Sequence, residues 1–417
     1  SDQAEAVDMA DEVIDADGCL VTPGFIDSHA HSDAYLVIEP DAPSKISQAI
    51  TTEINGQCGG SAAPRYGQAR LSSDWAAVLG DRLRWRSMAE YRQALEDAKI
   101  AVNTVQFIGH NTLRSSVVGY DGRPSTKEEL ERMCSLLEES LCDGGWGLST
   151  GLIYQPGCHA TMAEVEALSA VAARRGGFYA THMRSEGDEI LESIDEVIEL
   201  AKKTGIRSEI SHLKTSGEKN WAKIDEVIAK VDSAVAGGFL LGADRYPFCA
   251  AGTDLDVVLP DWAGIGGAPA EMERIGNPVL RKRIIDEINS SQRDWSKVMI
   301  GGTWCAETKA YSGRIVSELT DDPGAFVCRT LELDGCKTGA FFFGMCEENL
   351  DKILSQKWTL PGSDASLRSP AGILGEDHPH PRAYATMPEF YRRLRRLGFS
   401  REESVSRMTS KVAERFE

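Results

Sequence analysis

Phe178-Tyr179-Ala180-Thr181-His182 leads into a segment in which Ile190, Ile194, Val197, Ile198 and Ala201 fall on one stripe, and Ser208-Glu209-Ile210-Ser211-His212 follows it. The short apolar run predicts a strand, and the spacing of three and four residues predicts a helix that covers it. Lys202, Lys203 and Gly205 supply the stop signal of that helix. Strand, helix and strand in this order make a β-α-β unit of a parallel sheet.

Working outward, the same alternation begins at residue 23. Further candidate strands are 25–29, 51–55, 104–109, 147–150, 239–243 and 358–362, with two more apolar runs at 298–301 and 340–344. That is one or two more than a barrel of eight needs, so one of them is expected to be peripheral. Two helix starts carry capping boxes, Ser125 with Glu128 and Thr161 with Glu164. The fold expected is therefore α/β, a (β/α)8 TIM-like barrel over 23–417. Residues 1–22, with Val13, Ile14, Leu20 and Val21, read as the remnant of a small β-sandwich domain only partly present in this chain.

Composition narrows the function. The 417 residues are 42% hydrophobic and 26% charged, which excludes disordered and fibrous classes. With 45 Lys and Arg against 64 Asp and Glu, the net charge is −19, a sign that repels phosphate backbones and anionic lipid surfaces. Neither nucleic acid nor a membrane is an expected partner. No apolar run approaches membrane-spanning length, and Ser1 to Glu12 carries no secretory signal pattern, so a cytoplasmic location is expected. The ten cysteines are scattered singly without CxxC pairs, which marks most of them as buried thiols.

Chemistry concentrates at strand ends. Gly24-Phe25-Ile26-Asp27-Ser28-His29-Ala30-His31 ends in two histidines one residue apart, and residues i and i+2 of a strand share a face. At the C-terminal end of an early barrel strand, both imidazoles point into the mouth where this fold keeps its catalytic loops. His182 and His212 close two adjacent strands in the same way. Imidazole suits zinc, and three protein ligands plus a water make a catalytic site. His110, after Val105-Gln106-Phe107-Ile108-Gly109, reads equally as a substrate contact or as a packing residue. Cys58 sits in Asn55-Gly56-Gln57-Cys58-Gly59-Gly60, where a glycine-rich turn exposes its thiol at the rim and a zinc ion would deprotonate it. Asp364, in Leu360-Pro361-Gly362-Ser363-Asp364, ends the last barrel strand, where a carboxylate facing a metal can move a proton.

Together these motifs resemble the amidohydrolase superfamily, and within it the D-aminoacylases, or N-acyl-D-amino-acid deacylases. Further markers are Gly109 to Arg114, Gly147-Leu148-Ser149-Thr150-Gly151-Leu152-Ile153-Tyr154, Tyr179 to Gly187, Ser211-His212-Leu213-Lys214, Tyr246-Pro247-Phe248 and His378-Pro379-His380-Pro381-Arg382. The resemblance implies a tightly bound Zn2+ held by Cys58, His182 and His212. It also implies a second, weaker metal position at His29 and His31 that shares the Cys58 thiolate. Many relatives bridge two metals with a lysine on the fourth strand; 147–150 holds none, which favours Cys58 as the substitute.

Asp364 matches the family's catalytic aspartate. Tyr154, Lys214, Tyr246 and Arg382 match residues that hold the substrate carboxylate and orient the amide. The implied reaction is hydrolysis of the linear amide bond of a small-molecule N-acyl-D-amino acid. A cyclic amidase of the same superfamily is the alternative, and a non-catalytic scaffold a more distant one. Because the cations placed so far are assigned to the α-carboxylate, the expected side chain is neutral.

Overall fold

The structure is a computed structural model and describes residues 14–70, 78–375 and 378–417. Its strands are β1 (Phe25–Asp27), β2 (Ile50–Asn55), β3 (Asn103–Gly109), β4 (Gly147–Gly151), β5 (Phe178–His182), β6 (Arg207–Ile210), β7 (Leu241–Arg245), β8 (Ala251–Asp254), β9 (Val298–Ile300), β10 (Gly339–Phe342) and β11 (Thr359–Pro361). Eight of them form one sheet in the order β1-β2-β3-β4-β5-β6-β7-β11. Each pairing along it is parallel. The two ends meet: Ser28 N donates to Pro361 O at 3.1 Å, Asp364 N to His29 O at 2.8 Å, and Ala30 bridges Ala365. This is a (β/α)8 barrel.

The strands are short and covered on both faces, and every residue of β4, β5 and β7 is buried. Helices pack around them with one apolar stripe inward. Helix Ile190–Thr204 buries Ile190, Ile194, Val197, Leu200 and Ala201 and stops at Gly205, whose φ of 68° closes the last turn. Helix Lys127–Cys142 begins one residue later than its sequence suggests. Thr126 is the cap and Glu129 its reciprocal partner, because the Ser125 hydroxyl turns inward to Glu164 Oε2 at 2.6 Å. Thr161 caps the next helix by accepting from Glu164 N, but the box is only half formed, because the Glu164 carboxylate turns to His110, Arg114 and Ser125.

Both extra apolar runs are peripheral. β9 and β10 pair antiparallel with each other, and β10 with β8, in a separate three-stranded sheet between β7 and β11. That insertion has its own core, with Leu255, Ile275, Ile284, Val298, Val327 and Leu331. β7 also starts later than expected, at Leu241, because Phe239 N closes the preceding helix on Ala234 O at 3.2 Å. The shift brings Asp244 and Arg245, both buried, into the end of the strand. Residues 14–22 contain a turn and no strand; the rest of the 1–22 segment lies outside the described residues.

Candidate metal centre and substrate cavity

The C-terminal ends of β1, β2, β5, β6 and β11 converge. Cys58 Sγ lies 3.4 Å from His29 Nε2 and 3.3 Å from His212 Nε2. His29 Nε2 is 3.3 Å from His31 Nε2, which is 3.1 Å from Asp364 Oδ1. Two donor sets result, His29, His31, Cys58 and Asp364 on one side and Cys58, His182 and His212 on the other, each with ligand atoms within 4.8 Å of one another. Cys58 belongs to both. β4, which reads Gly147 to Gly151, brings no lysine to the pair.

The backbone is bent to make this possible. Seven non-glycine residues among those described have positive φ, and three are Cys58 (52°), His212 (38°) and Asp364 (50°). Left-handed backbone at such residues costs about 1–3 kcal/mol each and collects at functional sites. Gly151 serves the same end, since a Cβ there would lie 2.1 Å from Cys58 O.

The donor set fits a metal ion. His182 is buried, and neither of its ring nitrogens has a hydrogen-bond partner among the described residues, an unmet demand that a cation in the second set answers. Burial pushes the Cys58 thiol up, but the charges of His29 and His212 outweigh burial and hold it well below its ordinary value, toward the thiolate that binds metals. Against burial, hydrogen bonds that His31 donates to Asp364 and Cys58 raise it to about 9. Cys58, His29, His31 and Asp364 thus form a cluster of opposite charges around the space between them.

Other side chains aim the ligands. Asp244 Oδ2 accepts from His29 Nδ1 at 2.9 Å, and Asp244 Oδ1 accepts from His212 N at 2.9 Å, so one carboxylate orients two histidines. Glu186 Oε1 is 2.8 Å from His212 Nδ1 and also takes the Lys214 ammonium. Neither Asp244 nor Glu186 was singled out from sequence. Asp244 was hidden by the late start of β7, and Glu186 by lying in a loop within Tyr179 to Gly187.

The expected substrate contacts also gather here, though with partners of their own. Arg382 Nη1 bonds Asp364 Oδ2 at 2.5 Å and Arg382 Nη2 bonds Gly252 O at 3.0 Å. Despite burial, Arg382 holds the Asp364 carboxyl well below the usual range. Lys214 Nζ lies 2.9 Å from His212 Nδ1 as well as on Glu186. The Tyr154 ring is 4.7 Å from that of His182. Tyr246 is fully buried, its hydroxyl has no hydrogen-bond partner among the described residues, and its ring centroid lies 4.8 Å from the Arg382 guanidinium carbon. His110 is not at the centre: it opens helix His110–Val117 and bonds Glu164 at 2.8 Å, the packing role.

A cavity of about 190 Å³ opens from His31, Asp364 and Arg382 toward the insertion, where Gly252, Thr253, Trp304, Lys337 and Phe341 line it. A parallel barrel with a cysteine and four histidines at its mouth, an aspartate from the last strand and a cavity beside them defines a metal-dependent hydrolase of the amidohydrolase kind. The chain belongs to the amidohydrolase family, which it matches over residues 12–299.

Its relatives lie in the D-aminoacylase branch. It is 32% identical to a D-aminoacylase of Alcaligenes xylosoxydans xylosoxydans, over 97% of this chain and 75% of that one. It is 33% identical to an N-acyl-D-glutamate deacylase of the same organism, over 98% and 75%. The structure of an N-acyl-D-glutamate deacylase from Bordetella bronchiseptica, complexed with zinc and a phosphonate inhibitor, superposes with a TM-score of 0.75 at 29% identity, covering 94% of this chain and 74% of that one. No helix among the described residues is long and apolar enough to cross a membrane.

Proposed function

We propose that the protein is a zinc-dependent N-acyl-D-amino-acid deacylase, which hydrolyses a linear amide to a carboxylate and a D-amino acid. The observation that carries this reading is the position of Asp364, 3.1 Å from His31 and beside the Cys58 thiol that joins two donor sets. Thiolate with imidazole favours zinc over harder cations. Cys58, His182 and His212 hold the tight ion, and His29 and His31 offer a second, weaker position. The D configuration rests on the names of the relatives.

A metal ion held there supplies Lewis acidity for activating water and for the charge that develops on the acyl oxygen. Asp364, kept as a carboxylate by Arg382, accepts the proton of the attacking water and then gives it to the departing nitrogen. In this reading Arg382 and Lys214 receive the substrate α-carboxylate, the guanidinium being suited to bidentate pairing. The Tyr246 hydroxyl, buried without a partner among the described residues, is a donor for the acyl amide, and Tyr154, whose ring packs on His182, orients it. Asp244 and Glu186 fix the histidine orientations during both proton transfers.

The test is amine release by the zinc-loaded protein from D and L pairs of N-acetylated methionine, leucine, phenylalanine and glutamate. Turnover confined to the D members is expected. Silence on all of them, with activity on a hydantoin or dihydroorotate, would move the protein to cyclic-amide hydrolysis.

A further inference from the structure

Among the described residues that line the cavity leaving the metal centre, the one carboxylate, Asp364, is already bonded to Arg382, and Lys337 lines the same cavity. His380 adds no charge at neutral pH, because burial and the neighbouring Arg382 press it down to about 3. Lys337 is the distinctive member. Among the described residues no carboxylate is recorded in an ion pair with it; its Nζ lies 5.7 Å over the Trp304 ring.

Lys337 is also held in place. Trp304 Nε1 donates to Lys337 O at 3.2 Å. Asp334 ties the two loops together, accepting from Cys305 N at 2.8 Å and Thr308 Oγ1 at 2.7 Å through one oxygen and from Thr338 Oγ1 at 2.8 Å through the other. An ammonium on the wall of this cavity, carried on an anchored backbone, above an aromatic ring and with no partner acid among the described residues, is arranged to receive an anion.

We propose that Lys337 is a specificity-determining residue that selects substrates carrying a second carboxylate in addition to the α-carboxylate. The inference rests on the deacylase reading and names its substrate class: dianionic N-acyl-D-amino acids. The second carboxylate sits at the side-chain end, as in an acidic amino acid, or at the acyl end, as in a dicarboxylic acyl group; both present the same chemistry to Lys337. The neutral side chain expected from sequence is thereby replaced, because Lys337 is the additional cation that could not be placed without the fold. Nearly equal identity to the D-aminoacylase and the N-acyl-D-glutamate deacylase leaves this choice to the cavity.

The test compares kcat/KM of the zinc-loaded protein on N-acetyl-D-glutamate, N-succinyl-D-leucine and N-acetyl-D-leucine, then repeats it with Lys337→Met and Lys337→Glu. One of the two dianions should exceed N-acetyl-D-leucine at least tenfold, and which one does so identifies the end that faces Lys337. Lys337→Met should cut that ratio about tenfold or more, and Lys337→Glu should reverse the preference. Preference for N-acetyl-D-leucine, or a dianion preference that survives both substitutions, overturns the assignment and leaves the deacylase reading standing. Silence on all three substrates would instead remove the deacylase reading, and this assignment with it.

Discussion

Lys45 Nζ lies 2.7 Å from Glu53 Oε1, and both side chains are wholly buried. The same ammonium reaches Asp27 Oδ2 at 3.1 Å, Ser363 Oγ at 3.2 Å and Ala365 O at 3.0 Å. Asp27 in turn takes Ser363 N at 2.8 Å. The network joins β1, β2 and the turn after β11, and so fixes the backbone on either side of Asp364. Lys45→Met strands two buried carboxylates, a change that costs about 3–5 kcal/mol. Urea denaturation should show a loss of that order; a loss under about 1 kcal/mol would mean that the network does not hold the turn.

Glu186 is expected to tune metal affinity through His212. Its bond to His212 Nδ1 fixes which ring nitrogen faces Cys58. Losing such an orienting carboxylate weakens metal binding by about 10–100-fold. Competition with a chelator should register that drop in Glu186→Gln. Unchanged affinity would assign Glu186 to Lys214 alone.

Cys58 is the shared donor, so its removal should empty the centre in a way that no single histidine change does. In the cobalt-substituted protein, a thiolate-to-metal absorption band should be present in the wild type and lost in Cys58→Ser, together with most of the bound metal. A wild-type cobalt spectrum without that band would exclude the thiolate from the ligand set.

Far from the centre, burial pushes Asp256 up to about 7, helped by the charge of Glu271, and burial likewise pushes Glu271 up to about 7. Both carboxyls belong to the insertion. A carboxyl with a raised folded value binds more protons folded than unfolded from about pH 4 to 7. Its stabilising contribution is full below that window and lost as pH rises through it. Between pH 5 and pH 8 the wild type should therefore lose more thermal stability than Glu271→Gln. Parallel losses in the two proteins would show that the pair does not titrate in that range.

The sequence carried much of this arrangement. Each barrel strand is marked by a short apolar run, and four histidines, Cys58 and Asp364 are marked by ending such runs or by a glycine-rich turn. Periodicity could not separate β9 and β10 from barrel strands, because an apolar strand in the insertion reads like one in the barrel. Asp244 was missed because the helix before β7 ends by a local hydrogen bond that moves the strand start. Lys45 lies 319 positions before Asp364 (364 − 45), and Glu186 is loop-borne; contacts of this kind exist only once the barrel has closed.

The central claim is that Asp364 carries the proton in a metal-dependent amide hydrolysis. Asn tolerates the left-handed backbone at position 364 and keeps the shape of the side chain, so Asp364→Asn isolates the loss of a proton acceptor. The decisive measurement is bound metal and amine release from an N-acyl-D-amino acid in this variant and the wild type side by side. Expected are an unchanged content of tightly bound zinc and turnover lower by about 10²–10⁴-fold. Wild-type turnover with full metal content would contradict the claim.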